Sequence, residues 1–280
     1  MWKNIFVVSL FFALATCASV TQKQDNIKTG DEGGENITYE PYYKGVEGLE
    51  GEDLAAVLHE KIRGHKTFSY RQCYDIILRL DRDPENPNNV EGIYSDFSMD
   101  ADEKYADSDG WNREHVWAKS YGDFGNAPGP GTDLHHLRAS DVSTNSARNN
   151  RAFDEAEDAY FDLDGNYRGE TGCFTSNEKW VWEPRKDRKG DIARMMFYMA
   201  VRYEGTNGEP DLILVDEIPD RSSKAPYHGK LSTLLKWNEE DPIDDKERKR
   251  NEMIFEKYQG NRNPFIDHPE FARKIWGYDF

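Results

Sequence analysis

Cysteine is scarce in this chain: three residues in 280, at positions 17, 73 and 173. That excludes a small disulfide scaffold, which needs a far denser supply. The spacings also carry none of the logic of a zinc site. An exported chain can oxidise Cys73 and Cys173 to one bridge, and two buried thiols are the equal alternative. Long apolar runs are lacking as well. Residues 5–14 form the clearest one, too short to span a bilayer as a mature helix. With Lys3 before it and small residues after it, the run has the pattern of an export signal over residues 1–19. Leu14-Ala15-Thr16-Cys17 resembles a bacterial lipobox with an unusual Thr, so lipidation of Cys17 and ordinary signal-peptidase cleavage both stand. Positive charge is short too: 36 Lys and Arg against 53 Asp and Glu, a net charge of -17. Taken alone, that balance argues against a nucleic-acid partner, since phosphates are met mainly by Lys and Arg.

What is present describes a well-packed, strongly solvated protein, with 13% aromatic and 32% charged residues. Residues 20–45 are polar, acidic and glycine-containing, and read as a tether ahead of a body at 46–280. No internal repeat is visible. Leu54, Val57, Leu58 and Ile62 recur at helical spacing behind Glu52 and Asp53, acids that favour a helix N-terminus. Tyr74, Ile77 and Leu78 form a second stripe. Ile192, Met195, Met196, Met199 and Tyr203 form the clearest one, read as a central packing helix rather than a cofactor site. Residues 90–97 and 112–117 are strand candidates, while 211–218 is ambiguous between strand and loop. Further helix is expected from Leu231, with turns at Pro242, Pro264 and Pro269. The mixture is α+β without regular βαβ alternation.

Polar, reactive residues crowd between Arg113 and Arg151. "WNREHVW" sets Glu114 beside His115, and neighbours on a regular strand point to opposite faces. If both serve one site, the strand must bulge here or end at His115. A loop rich in glycine and proline follows, then "DLHHLRASDVSTNSARNN", whose second half suits a short helix from about Ser140. Alone, Glu114 would be a solvated residue paired with Lys119, His115 a satisfied buried histidine, and Asn145 a cap. The whole constellation says more. "GWNREHVWAKS" with "GTDLHHLRASDVSTNSARNNRAF" resembles the bacterial endonuclease I family, nucleases with a ββα-metal (His-Me finger) core in a mostly helical body. The resemblance continues through "KGDIARMMFYMAVRY" and "ERKRNEMIFEKYQGNRNPFIDHPEFARKIWG", covering the chain from about residue 50.

The resemblance implies a nonspecific endonuclease that hydrolyses DNA, with RNA left open as a further substrate, to 5′-phosphate and 3′-hydroxyl ends. It matches His115 to the general base, and Glu114 and Asn145 to the metal ligands. A neutral imidazole, pKa near ~6.5, accepts a proton at neutral pH. One carboxylate and one amide oxygen make a hard, incomplete ligand set suited to Mg²⁺, with Ca²⁺ or Mn²⁺ as alternatives. His135 and His136 are assigned to packing or support rather than to a second metal. Family members commonly carry proline where this chain has Ala118 and Ala139. Some also hold the scissile phosphate with an arginine in the loop at 121–132, which here contains no basic residue. Arg113, Arg138 and Arg148 are the candidates for that role.

The charge objection has a local answer. Much of the acid lies in the tether, in 98–109 and in "FDEAEDAYFDLD", while "RKDRK" at 185–189 is a basic cluster. "KERKR" at 246–250 reads as a solvated helix face. Local field steers a ligand more than the total does. The expectation is a monomeric, exported enzyme without a nucleotide cofactor, touching membrane only through a lipid on Cys17. The rivals are a ribonuclease on the same scaffold and a non-catalytic surface protein that binds nucleic acid.

Overall fold

The computed structural model describes residues 41–104 and 109–277. The export signal, Cys17 and most of the tether lie outside the described residues. Described residues all fall in one compact unit, Thr38–Phe280, and no helix among them is long and apolar enough to cross a membrane. The body begins before the expected boundary at 46. Tyr43 is fully buried, and its hydroxyl donates to Asp267 Oδ2 at 2.5 Å.

Helix α1 (Gly51–Ile62) buries Leu54, Leu58 and Ile62, as the spacing requires, with Glu52 and Asp53 in its first turn. Helix α2 (Tyr70–Leu80) starts at a capping box in which Ser69 and Gln72 satisfy each other's backbone N–H groups. Helix α4 (Lys189–Arg202) is buried along almost its whole length and packs against α1, α5 (Leu231–Glu240) and α7 (Pro264–Asp267). Met195, Met196 and Met199 pack in the larger apolar cluster, each contributing about 1.5–3 kcal/mol of burial. The helix is the central packing element that its stripe announced. At its start Gly190 lies against the carbonyl of Asp241, where a Cβ would come within 2.1 Å of the oxygen.

Helix α6 (Asp245–Met253), running on into a wider turn at Ile254–Tyr258, and α8 (Glu270–Trp276) complete the C-terminal part. The KERKR segment in α6 is not the solvated face that its composition suggests. Glu247 and Arg250 are buried, the first paired with Arg194 and the second with Asp81 at 2.9 Å.

Strands are short and sit in small sheets. Residues 90–97 are not one strand: β1 (Asn89–Glu91) pairs antiparallel with β2 (Ser98–Asp100), and 92–97 turn between them. Strand β3 (Trp111–His115) pairs antiparallel with β4 (Leu137–Asp141), and α3 (Val142–Arg148) follows at once, capped by the Asp141 carboxylate on Thr144 N–H at 2.8 Å. A four-stranded sheet of β5 (Ala152–Phe153), β6 (Asp158–Asp162), β7 (Gly169–Ser176) and β8 (Val181–Glu183) stands beside this ββα unit. In the ambiguous 211–218 stretch only β9 (Ile213–Leu214) forms, parallel to β10 (Tyr227–His228).

Cys73 and Cys173 are both buried free thiols in separate apolar clusters, so the bridge alternative falls. Burial pushes each up to about 12. His135 and His136 are packing residues. The ring of His135 donates to Asn261 O at 3.2 Å, and that of His136 to Pro130 O at 2.7 Å. Asp133 anchors the same interior, accepting from the hydroxyls of Tyr198 at 2.9 Å and Tyr203 at 2.8 Å.

Burial holds both histidines down to about 4, against a nearby Asp133 that pulls the other way. Unfolded, each would titrate near ~6.5. Protonation therefore favours the unfolded chain, and stability present above ~6.5 is lost as pH falls toward about 4. Thermal melts at constant ionic strength should show Tm dropping across that window; a flat Tm would contradict the packing assignment.

Candidate active site

A cleft of about 340 Å³ opens where β3 ends against α3 and the start of α2. Asn112, Arg113, Glu114, His115 and Asn145 all line it. Of the two geometries that could bring Glu114 and His115 to one site, a bulge is not the one used. The β3–β4 register is unbroken, with Glu114 opposite Arg138 and His115 opposite Leu137. Alternation persists along the strand. Asn112 and Glu114 face α3, while Arg113 and His115 face Tyr70. Nor does His115 swing round at the strand end: it keeps to the side opposite Glu114, and the two are the last residues of β3 and line the same cleft.

Arg148 holds that end in place. It is almost fully buried and reaches from α3 to pair with Glu114 Oε1 at 3.0 Å and to donate to His115 O at 3.1 Å and Val116 O at 2.7 Å. Tyr94 donates its hydroxyl to the same Glu114 oxygen at 2.6 Å. Burial raises the Glu114 carboxyl, and Arg148 followed by Tyr94 pulls it back. Glu114 is therefore bound to Arg148, and not to the Lys119 that sequence proximity offers.

His115 is held by two contacts. Its ring stacks on Tyr70 at 5.6 Å between centroids, and Nε2 lies 3.0 Å from Gly131 O. A carbonyl only accepts, so Nε2 carries the hydrogen and Nδ1 keeps its lone pair. Gly131 is required there because a Cβ would sit 2.2 Å from Gly125 O. Burial, followed by the neighbouring His136 and Lys119, holds the imidazole well below its ordinary value and hence neutral.

Asn145 donates Nδ2–H to Asn112 Oδ1 at 2.6 Å, which leaves its own carbonyl oxygen as the acceptor on that amide. The Tyr94 hydrogen bond and the Arg148 ion pair to Glu114 both fall on Oε1. The donor set is thus one carboxylate and one amide oxygen, hard ligands that fit a divalent cation retaining much of its water. Among the described residues no group of three or more His, Cys, Asp and Glu is arranged for a metal.

The three arginine candidates separate. Arg113 lines the cleft, its guanidinium 3.2 Å from the Tyr70 ring centroid and 3.6 Å from that of Tyr74. Arg148 is committed to Glu114 and backbone carbonyls. Arg138 turns away to Asp81 at 3.0 Å and lines a different pocket, so it is not brought to the site.

The site also takes in Lys119, Tyr70, Tyr94 and Asn112, which the sequence does not single out for it. Lys119 is a partly buried cleft residue whose ammonium donates to Asn126 Oδ1 at 2.7 Å, and burial lowers its pKa. Its place two residues before the base-free loop is a usable signal. The position of Tyr70, from a distant helix, leaves none.

Removing Arg148 would leave Glu114 buried without its cation. Breaking such a pair costs about 3–5 kcal/mol. Arg148→Ala should lower unfolding free energy by that amount in urea titration, and a loss under about 1 kcal/mol would contradict its role as the tie between α3 and β3.

With this geometry in view, the comparisons are specific. The family model described as Endonuclease I matches residues 50–270. "Extracellular ribonuclease" of Bacillus subtilis (strain 168) is 54% identical over 235 residues, covering 84% of this chain and 78% of the relative. "Extracellular ribonuclease" of Bacillus amyloliquefaciens is 52% identical over 237 residues, covering 85% and 78%. The non-catalytic alternative therefore falls, and the activity is hydrolysis of phosphodiester bonds. The ββα unit, the cleft at its strand end and these matches lead to one conclusion: the chain belongs to the Endonuclease I family.

Proposed function

We propose that this protein is an exported, metal-dependent endonuclease that hydrolyses RNA and DNA to 5′-phosphate and 3′-hydroxyl ends. The observation that carries the reading is His115, held neutral with Nε2–H on Gly131 O and Nδ1 available in the cleft shared with Glu114 and Asn145. Nδ1 takes a proton from the attacking water, and Tyr70 keeps the ring from turning. Arg113 and Lys119 supply positive charge to the scissile phosphate, the part that the loop at 121–132 lacks. Glu114 and Asn145 would hold the cation. When bound, a divalent ion there supplies Lewis-acid stabilisation of the phosphate and of the departing 3′-oxygen.

Water as nucleophile makes the ribose 2′-hydroxyl unnecessary, which supports action on both polymers. The relatives' name, extracellular ribonuclease, supports RNA as a substrate and export as the destination.

His115→Ala should lower kcat about 100- to 10,000-fold on plasmid and on RNA, and EDTA should abolish wild-type cleavage until Mg²⁺ is restored. Cleavage by the variant at the wild-type rate would overturn the base assignment. RNA products ending in 2′,3′-cyclic phosphate would overturn the use of water.

Lys119→Gln is expected to reduce kcat with little change in melting temperature, because the side chain caps no buried charge. Unchanged kcat would remove it from phosphate binding and leave Arg113 alone in that role.

A further inference from the structure

A second pocket, of about 330 Å³, lies between α2, β4 and α6. Seven of its fourteen lining residues are Arg or Lys and four are acidic, in a chain of net charge -17. It gathers basic residues that stand far apart in sequence: Arg79 and Arg82 at the end of α2, Arg188 from the 185–189 cluster, and Lys246 and Lys249 from α6.

The pairing inside it is unequal. Asp81 is shared by Arg138 at 3.0 Å and Arg250 at 2.9 Å, with Ala139 N–H donating to its second oxygen at 2.8 Å. Glu91 is shared by Arg188 at 3.0 Å and Lys246 at 2.7 Å. Asp191 lies among Arg138, Arg188 and Arg194. Arg79, Arg82 and Lys249 are exposed at the rim. Their side chains form no hydrogen bond or ion pair among the described residues. Their number equals the excess of cations over acids in the lining, so the surplus charge faces solvent.

Surplus cations fixed round a concave surface focus the field that an anion meets. The pocket also borders the two-stranded ladder that carries Glu114. Arg138, in its wall, is the direct cross-strand partner of Glu114, and such partners have Cβ atoms about 4.5–5.5 Å apart.

We propose that this pocket binds backbone phosphates of the polynucleotide substrate away from the scissile bond, an exosite for chain length and not for chemistry. The inference rests on the nuclease reading above, and its test is separable from it. Neutralising the rim in Arg79→Gln/Arg82→Gln/Lys249→Gln removes no buried pair, so the variant should melt with wild type.

In a His115→Ala background, binding of a single-stranded oligonucleotide is measured against salt. Three lost contacts at about 0.7 each should make the log–log slope shallower by about 2. In the active background, KM for polynucleotide should rise with kcat unchanged, and a small chromogenic phosphodiester should be hydrolysed as by wild type. Lys in place of Arg79 and Arg82 should restore binding. An unchanged slope and KM would overturn the exosite. So would calorimetry showing that the triple variant loses only inorganic phosphate binding, which marks a free-phosphate site. Failure of wild type to cut nucleic acid would sink the catalytic reading, while the salt slope would still report on the pocket.

Discussion

The buried ion pair between Arg148 and Glu114 is the constraint on which the candidate active site depends. Its worth is not mainly Coulombic, because desolvating two charges consumes much of the attraction. Its value is geometric. One guanidinium from α3 grips a carboxylate and two successive carbonyls where β3 ends. That fixes the angle between helix and strand, and with it the approach of Asn145 to Asn112. A strand end is otherwise prone to fray. Here it is tied on one side by Arg148 and on the other by Tyr70, leaving His115 little freedom to turn.

The supporting interior works in the same way. Three buried polar groups show it: Asp133 is satisfied by two tyrosine hydroxyls, His136 by Pro130 O, Asp81 by two arginines. Except for that of His136, these bonds run between segments far apart in sequence. They hold the long connection from β3 to β4, and therefore the Gly131 carbonyl that sets the His115 tautomer. A buried donor or acceptor without a partner is expensive, so each bond specifies one arrangement of the connection. Charge is organised likewise. The chain is acidic as a whole, yet seven Lys and Arg residues line the second pocket and three line the cleft. Net charge sets solubility, and placement sets what binds.

Much of this architecture is legible in the order of residues. The stripes at 54–62 and 192–203 form helices where they fall, because burying one face of a helix demands that period. The α+β class, the strand through Glu114 and the helix after Ser140 follow from the same reasoning. Other features leave no such mark. The sheet of β5 to β8 is not legible because β6 is largely exposed and β5 and β8 are too short for alternation to register. The KERKR segment looks like a solvated face because its composition hides that Glu247 and Arg250 turn inward to partners on other elements. The Tyr43 anchor is hidden because two aromatic residues at the end of an acidic segment give no periodic signal.

By itself, the amino-acid order determined the chemistry available: a neutral imidazole, one carboxylate and one amide, set at fixed spacing in "REH" and on the helix that follows. Local propensity and capping mark where those elements begin and end, although a seven-residue helix and a five-residue strand need tertiary packing to persist. Tertiary structure alone decided how the groups meet. A regular strand sends Glu114 and His115 to opposite sides, and only the end of β3, enclosed by α2 and α3, gives both a common cleft. It also chose among the arginines, burying Arg148 as a tie, turning Arg138 toward Asp81 and leaving Arg113 at the cleft. The reason is that a side chain's role depends on partners contributed by remote segments, and sequence spacing fixes only near neighbours.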